Sequence, residues 1–118
     1  MNNVSFQLTH EDGKFLVRLA RKAVEKYLQD GNVMSAPKDA SSKLMERCGV
    51  FVTLNSVRGK EKELRGCIGY PYPTHPLVEA VIGSAIDSAT QDPRFPPVSH
   101  DELDSIVFEV SVLTPPKL

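Results

Sequence analysis

The sequence predicts a single α+β domain, a small and mostly antiparallel sheet with helices packed on one face. Three observations point there. A long amphipathic pattern of helical period opens the chain. Two apolar runs of strand character follow it, joined by a polar segment, and a third closes the pattern. A second helical stripe separates the last two strands. The order helix, hairpin, helix, strand is that of helices laid on one side of a sheet. At 118 residues the chain holds one core and not two.

The first helix is expected from Thr9 to about Gln29. Phe15, Leu16, Leu19, Ala20, Ala23, Val24, Tyr27 and Leu28 recur at helical spacing, with Lys14, Arg18, Arg21, Lys22, Glu25 and Lys26 on the other face. Thr9 with Asp12 is a capping-box variant, and Gly31 is a stop signal. The Lys/Arg content of the polar face suggests a phosphate-binding surface, but Glu25 and nearby acids dilute it and a solvated face is the preferred reading. Asn32 to Ser42 reads as loop, with a short helical turn from Ser42 to Arg47. Gly49 to Leu54 is β-branched and aromatic on both faces, the mark of a buried strand. Asn55 to Lys62 is polar and contains Gly59, so it reads as a hairpin connection longer than the minimum, and Glu63 to Ile68 as the returning strand.

Tyr70-Pro71-Tyr72-Pro73-Thr74-His75-Pro76 cannot continue a ladder or a helix, because its prolines lack N–H donors and restrict their predecessors. A helix starts near Pro76, with Leu77, Val78, Val81, Ile82, Ala85, Ile86 and Ala89 as its apolar stripe and Gly83, Ser84 and Ala85 permitting close packing. Asp92-Pro93-Arg94-Phe95-Pro96-Pro97 ends it in a second rigid loop, and Ser99 with Glu102 forms a capping box for one short turn. Ile106 to Leu113 is the third strand. No internal repeat or low-complexity tract interrupts this order.

A net charge of −1 gives no reason to expect a general nucleic-acid or membrane-surface binder. No apolar run approaches the roughly 18 residues that cross a bilayer. Met1 to Ser5 lack the basic and apolar regions of a signal peptide, so the expected location is cytoplasmic. Spacing alone leaves a disulfide between Cys48 and Cys67 open. Without a secretion signal, free thiols are preferred. His10, His75 and His100 show no ligand spacing with either cysteine, and no metal site is expected.

The candidate site is Leu64-Arg65-Gly66-Cys67-Ile68-Gly69, where two glycines leave the backbone around a thiol uncovered at the end of a strand. Together with Gly49-Val50-Phe51-Val52-Thr53-Leu54, the helix opening at Pro76-Leu77, Asp92-Pro93-Arg94-Phe95-Pro96-Pro97, Glu102-Leu103 and Glu109-Val110-Ser111-Val112-Leu113, it closely resembles the AMMECR domain family in order and spacing over most of the chain. The resemblance implies a cytoplasmic α+β domain of no assigned reaction, with the hexapeptide as the suspected functional site. It also implies Memo-like and radical-SAM proteins as pathway partners. Family domains continue beyond the Glu-Val-Ser-Val-Leu strand into a further β-rich portion. Residues 1–118 are therefore expected to be one AMMECR-like domain that is incomplete at its C-terminus.

Each candidate residue has a chemical reading and a structural one. Cys67 is a candidate nucleophile or redox thiol. Arg65, two residues away and so on the same strand face, is the candidate partner for a thiolate, and His75 the candidate base if the Pro-rich loop folds back. The alternative for Cys67 is a small half-buried residue under close packing. Gly66 and Gly69 offer backbone N–H groups to a phosphate or carboxylate, with Arg65 and Arg94 as its cations, or else form a bulge and turn. Asp92 and Arg94 support the site from their proline-clamped loop, or pair with each other as structure. Glu109 is the odd carboxylate of its strand; if buried it needs Arg65 or Arg94, and an exposed outer sheet face is the simpler reading unless a further segment covers it. The leading expectation is a small-ligand or enzyme-like site centred on Leu64–Gly69, its ligand and any cofactor unknown. The rival is a non-enzymatic module that binds a protein or, with weaker support, nucleic acid through the Tyr/Pro loop around Tyr70 and Tyr72.

Overall fold

Capping and periodicity produce α1 (His10–Asp30) as expected. The computed structural model describes residues 8–113 and continues with β1 (Gly49–Arg58), β2 (Glu61–Tyr70), α2 (Leu77–Thr90) and β3 (Ile106–Leu113). Short 3₁₀ turns lie at Ser42–Met45 and His100–Ser105. The capping box of α1 is closed in both directions. Thr9 Oγ1 accepts the Asp12 N–H at 3.1 Å and Asp12 Oδ2 accepts the Thr9 N–H at 2.8 Å. Gly31 ends the helix in the left-handed region at φ 78°. Ser99 and Glu102 form the expected second box.

The sheet is antiparallel throughout, in the order β2-β1-β3. Val50, Val52 and Leu54 of β1 are fully buried and face the helices. Their register partners on that face are Tyr70, Ile68 and Gly66 on one side and Val112, Val110 and Phe108 on the other. Both helices pack on this face, α2 against β1 and β2 and α1 against β3, and they also pack against each other. The core lies between, built on Leu16, Leu19 and Val24 of α1 and Leu77, Val78 and Val81 of α2. The other face carries Phe51, Thr53, Cys67, Gly69, Glu109 and Ser111 and lies open among the described residues.

The hairpin connection is shorter than its polarity suggests. Arg58 pairs with Glu61, so Gly59 and Lys60 alone make the turn, with Gly59 at φ 61°. A positive φ at the first central position is the type II′ pattern, which matches the twist of the flanking strands. Arg58, Glu61, Lys62 and Glu63 beside it are exposed, so the ladder there carries polar side chains.

Candidate functional site

The hexapeptide is a bulged strand. Leu54 pairs with Gly66 and Asn55 with Leu64, which leaves Arg65 as the extra residue. A bulge re-aims its side chain, and here Arg65 does not share a face with Cys67 as strict alternation predicts. Its guanidinium forks onto Glu102, Nε to Oε1 at 2.9 Å and Nη2 to Oε2 at 3.1 Å, and Nη1 donates to the Pro96 carbonyl at 2.9 Å. Glu102 also accepts the Ser99 N–H at 2.8 Å, and Arg65 beside it holds its carboxyl below the usual range. Arg65 thus ties the bulge to the 96–102 segment.

Gly66 is buried because α2 comes down onto it. A Cβ there would fall 2.1 Å from the Ser88 carbonyl oxygen. One residue on, the Ile68 N–H donates to Ser88 Oγ at 2.8 Å, and the same hydroxyl lies 2.7 Å from the Val52 carbonyl, so a helix side chain bridges the backbones of β2 and β1. Ser84 Oγ donates to the Ile68 carbonyl at 2.6 Å. Gly69 faces the other way, under the Phe51 ring, which a Cβ would meet at 2.2 Å. The Cys67 and Ile68 N–H groups are already taken from within the fold.

Cys67 projects onto the open face, half-buried, with its Sγ 3.3 Å from Thr53 Oγ1 of the neighbouring strand. Its backbone N–H donates to Asp92 Oδ2 at 3.0 Å. Asp92 is buried and accepts three further bonds from Arg94: the backbone N–H at 3.0 Å, Nε at 3.0 Å and Nη2 at 2.8 Å. The Arg94 guanidinium holds the Asp92 carboxyl far below the usual carboxylate range, and Asp92 in turn raises Arg94. That guanidinium is about half exposed, stands 5.3 Å from the Phe95 ring centre and lies within electrostatic reach of the Cys67 thiol. A carboxylate, a guanidinium, a thiol and a hydroxyl are therefore joined in one constellation that offers a cation beside a sulfur.

Of the sequence candidates, the fold brings Cys67, Asp92 and Arg94 together and turns Arg65 toward Glu102. His75 is not with them. It sits on the helix side of the sheet, its ring 5.5 Å from that of Tyr70 and its Nδ1 2.9 Å from Thr74 Oγ1. Glu109 is exposed on the open face and pairs with Lys62 at 3.0 Å and Asn55 at 3.3 Å, not with either arginine. Cys48 is a free thiol in the core, its pKa pushed up to about 11 by burial. Tyr70 is half-buried with its hydroxyl on Asp87 at 3.1 Å, whereas Tyr72 is 73% exposed. Thr53 and Ser88 were not among the candidates. Ser88 with Ser84 gave a signal, two hydroxyls four residues apart on a buried helix face. Thr53 gave none without the register.

Among the described residues no three His, Cys, Asp or Glu side chains are grouped to share a metal ion, and no helix is long and apolar enough to cross a membrane.

Comparison with known proteins gives the same assignment from sequence and from structure. The chain is 56% identical over 114 residues to Protein PH0010 of Pyrococcus horikoshii, covering 96% of this chain and 55% of that protein. It is 55% identical over 113 residues to a protein of Thermococcus gammatolerans, covering 95% and 55%. The crystal structure of the uncharacterised P. horikoshii protein superposes with a TM-score of 0.86 at 57% identity, covering 94% of this chain and 55% of that one. The chain thus spans about half the length of the curated relatives it matches. The AMMECR1 family profile matches residues 17–118, and with these relatives it establishes that the chain belongs to the AMMECR1 family.

Proposed function

We propose that the Leu64–Gly69 motif carries a small-ligand site in which Arg94 receives an anionic group, a phosphate or carboxylate, beside the Cys67 thiol. One observation carries the reading. The Asp92 carboxylate bonds both the Cys67 backbone and the Arg94 guanidinium, so a single buried group fixes the sulfur and the cation relative to each other. A guanidinium about half exposed retains N–H donors for a planar anion. Thr53 Oγ1 adds a hydroxyl at the sulfur. The thiol is the group of this site able to attack or exchange, and the reading extends to a reactive cysteine. Arg65 contributes by holding the bulge, not by facing the ligand.

The test is protection of Cys67 from alkylation. Iodoacetamide labelling of native protein, located by peptide mass spectrometry, is followed with increasing inorganic phosphate or citrate at constant ionic strength. Saturable slowing at Cys67 in the wild type and none in Arg94→Gln is the expected result. Equal rates with and without either anion remove the ligand site.

A second reading has its own observation. Tyr72 is 73% exposed between Pro71 and Pro73, the form of a stiff contact loop for a protein or nucleic-acid partner. It predicts that Tyr72→Ala weakens association with such a partner and leaves Cys67 labelling unchanged.

A further inference from the structure

On the helix side of the sheet, remote from the thiol, a groove of about 460 Å³ opens between the loop after α1 and the first turns of α2. We propose that it binds a small organic cation, an alkylated ammonium. Tyr70 and His75 form two of its walls, their rings 5.5 Å apart and inclined at 44°, a corner presenting aromatic surface. Met34 and Ile82 supply apolar surface. Gly83 allows this arrangement, because a Cβ at that position would fall 2.5 Å from Tyr70 Oη. Without one, the phenol lies against α2 and its hydroxyl donates to Asp87 at 3.1 Å.

The charged side chains that line the groove are acidic among the described residues. Glu79 lines it with no hydrogen-bond or ion-pair partner among them, Asp87 stands behind Tyr70, and the nearby Arg47 guanidinium is turned onto the Thr74 carbonyl and does not line it. Burial and Asp87 push the Tyr70 phenol up to about 12, so it stays a neutral donor, and donation into a carboxylate enriches its ring in electron density. An electron-rich ring face attracts a cation most when the cation carries its own apolar shell and sheds little water on entering. Anions are disfavoured by the two carboxylates. A bare metal ion is not favoured here, since among the described residues no three suitable side chains converge. An ammonium bearing methyl or alkyl groups satisfies the rings, the apolar walls and Glu79 together.

The experiment titrates the protein with choline and, separately, with 3,3-dimethylbutanol, its uncharged isostere, following the ring resonances of Tyr70 and His75 by NMR. Choline is expected to shift both saturably and to bind about five- to tenfold more tightly than the isostere. Glu79→Gln, an exposed change that leaves the core untouched, is expected to remove most of that preference. Equal binding of the two compounds means an apolar groove and overturns the proposal. So does an absence of saturable shifts, or a Glu79→Gln protein that retains the full preference.

Discussion

Asp92 and Cys67 lie 25 positions apart and are joined by a 3.0 Å hydrogen bond from the Cys67 backbone N–H to the Asp92 carboxylate. The bond makes the loop after α2 a fixed part of β2. It also explains why an ionised carboxylate is tolerated with its side chain almost wholly buried: both oxygens are occupied by N–H donors, three of them from Arg94.

This pairing sets an acid dependence. The Asp92 carboxyl lies well below its ordinary value, first because of the Arg94 hydrogen bonds and then because of those from backbone N–H groups, which outweigh desolvation. A carboxyl whose pKa falls on folding stabilises the native state above its unfolded-state pKa and loses that contribution as pH drops toward the folded value. Asp92→Asn is therefore expected to lower stability at neutral pH by about 1.5–3 kcal/mol, the range for hydrogen bonds to a charged group. The difference from wild type should shrink below about pH 4, where the unfolded carboxyl begins to protonate. Urea unfolding of both proteins from neutral pH downward measures it. A difference that stays constant with pH assigns the loss to packing and not to charge.

The two glycines of the motif should separate sharply. Gly66→Ala drives a methyl into the Ser88 carbonyl, a backbone atom of a packed helix that cannot retreat without moving α2. A loss of about 3 kcal/mol or more is expected. In Gly69→Ala the nearest atoms to the new Cβ belong to the Phe51 ring, a side chain on the open face and not a helix backbone. About 1 kcal/mol is expected. Equal losses in thermal or urea unfolding would show that the approach of α2 to β2 is softer than the geometry implies.

How much of this the sequence made legible depends on the range of the interaction. The capping boxes at Thr9–Asp12 and Ser99–Glu102 and the Gly31 stop depend on neighbours within one turn, and local chemistry specified them. The helix and strand order followed from periodicity for the same reason. Alternation places Arg65 on the face of Cys67 only in an unbroken strand. The glycines point to a bulge, and the structure places one beside Gly66, but which residue becomes the extra one is a property of the pairing with β1. Polarity from Asn55 to Lys62 reads as loop, yet an exposed ladder carries polar side chains and the strands pair up to Arg58 and Glu61. The proline-clamped loop marks Asp92 and Arg94 as supports for Cys67, but the hydrogen bond that organises the three joins a backbone atom to a side chain far along the chain.

Ser88 shows the energetic side of the same long-range order. Its hydroxyl accepts the Ile68 N–H and lies within donor distance of the Val52 carbonyl in a buried position, so Ser88→Ala takes a buried hydroxyl partner from the Ile68 N–H. A loss of about 2 kcal/mol or more is expected. Ser84→Ala should cost about 1 kcal/mol, because it removes one hydroxyl bond to the Ile68 carbonyl and leaves the Ile68 N–H on Ser88. The order of the two in denaturant melts is the check. A larger effect for Ser84 would mean that the bridge between β2 and β1 does not run through Ser88.

The last prediction separates the two arginines. Arg94 lies within electrostatic reach of the Cys67 thiol, whereas the Arg65 guanidinium is spent on Glu102 and the Pro96 carbonyl. Iodoacetate carries a negative charge and iodoacetamide does not, so the ratio of their rates at Cys67 reports the cation at the sulfur and cancels changes in exposure. Arg94→Gln is expected to lower that ratio about threefold, the size of the effect of one partly screened charge. Arg65→Gln should weaken the fold through the lost fork and leave the ratio as it is. Cys48 does not confuse the reading, because it is buried with its pKa pushed up to about 11 and peptide mapping separates the two sites. If Arg65→Gln lowers the ratio as far as Arg94→Gln does, the bulge does not isolate Arg65 and the cation of the site is shared.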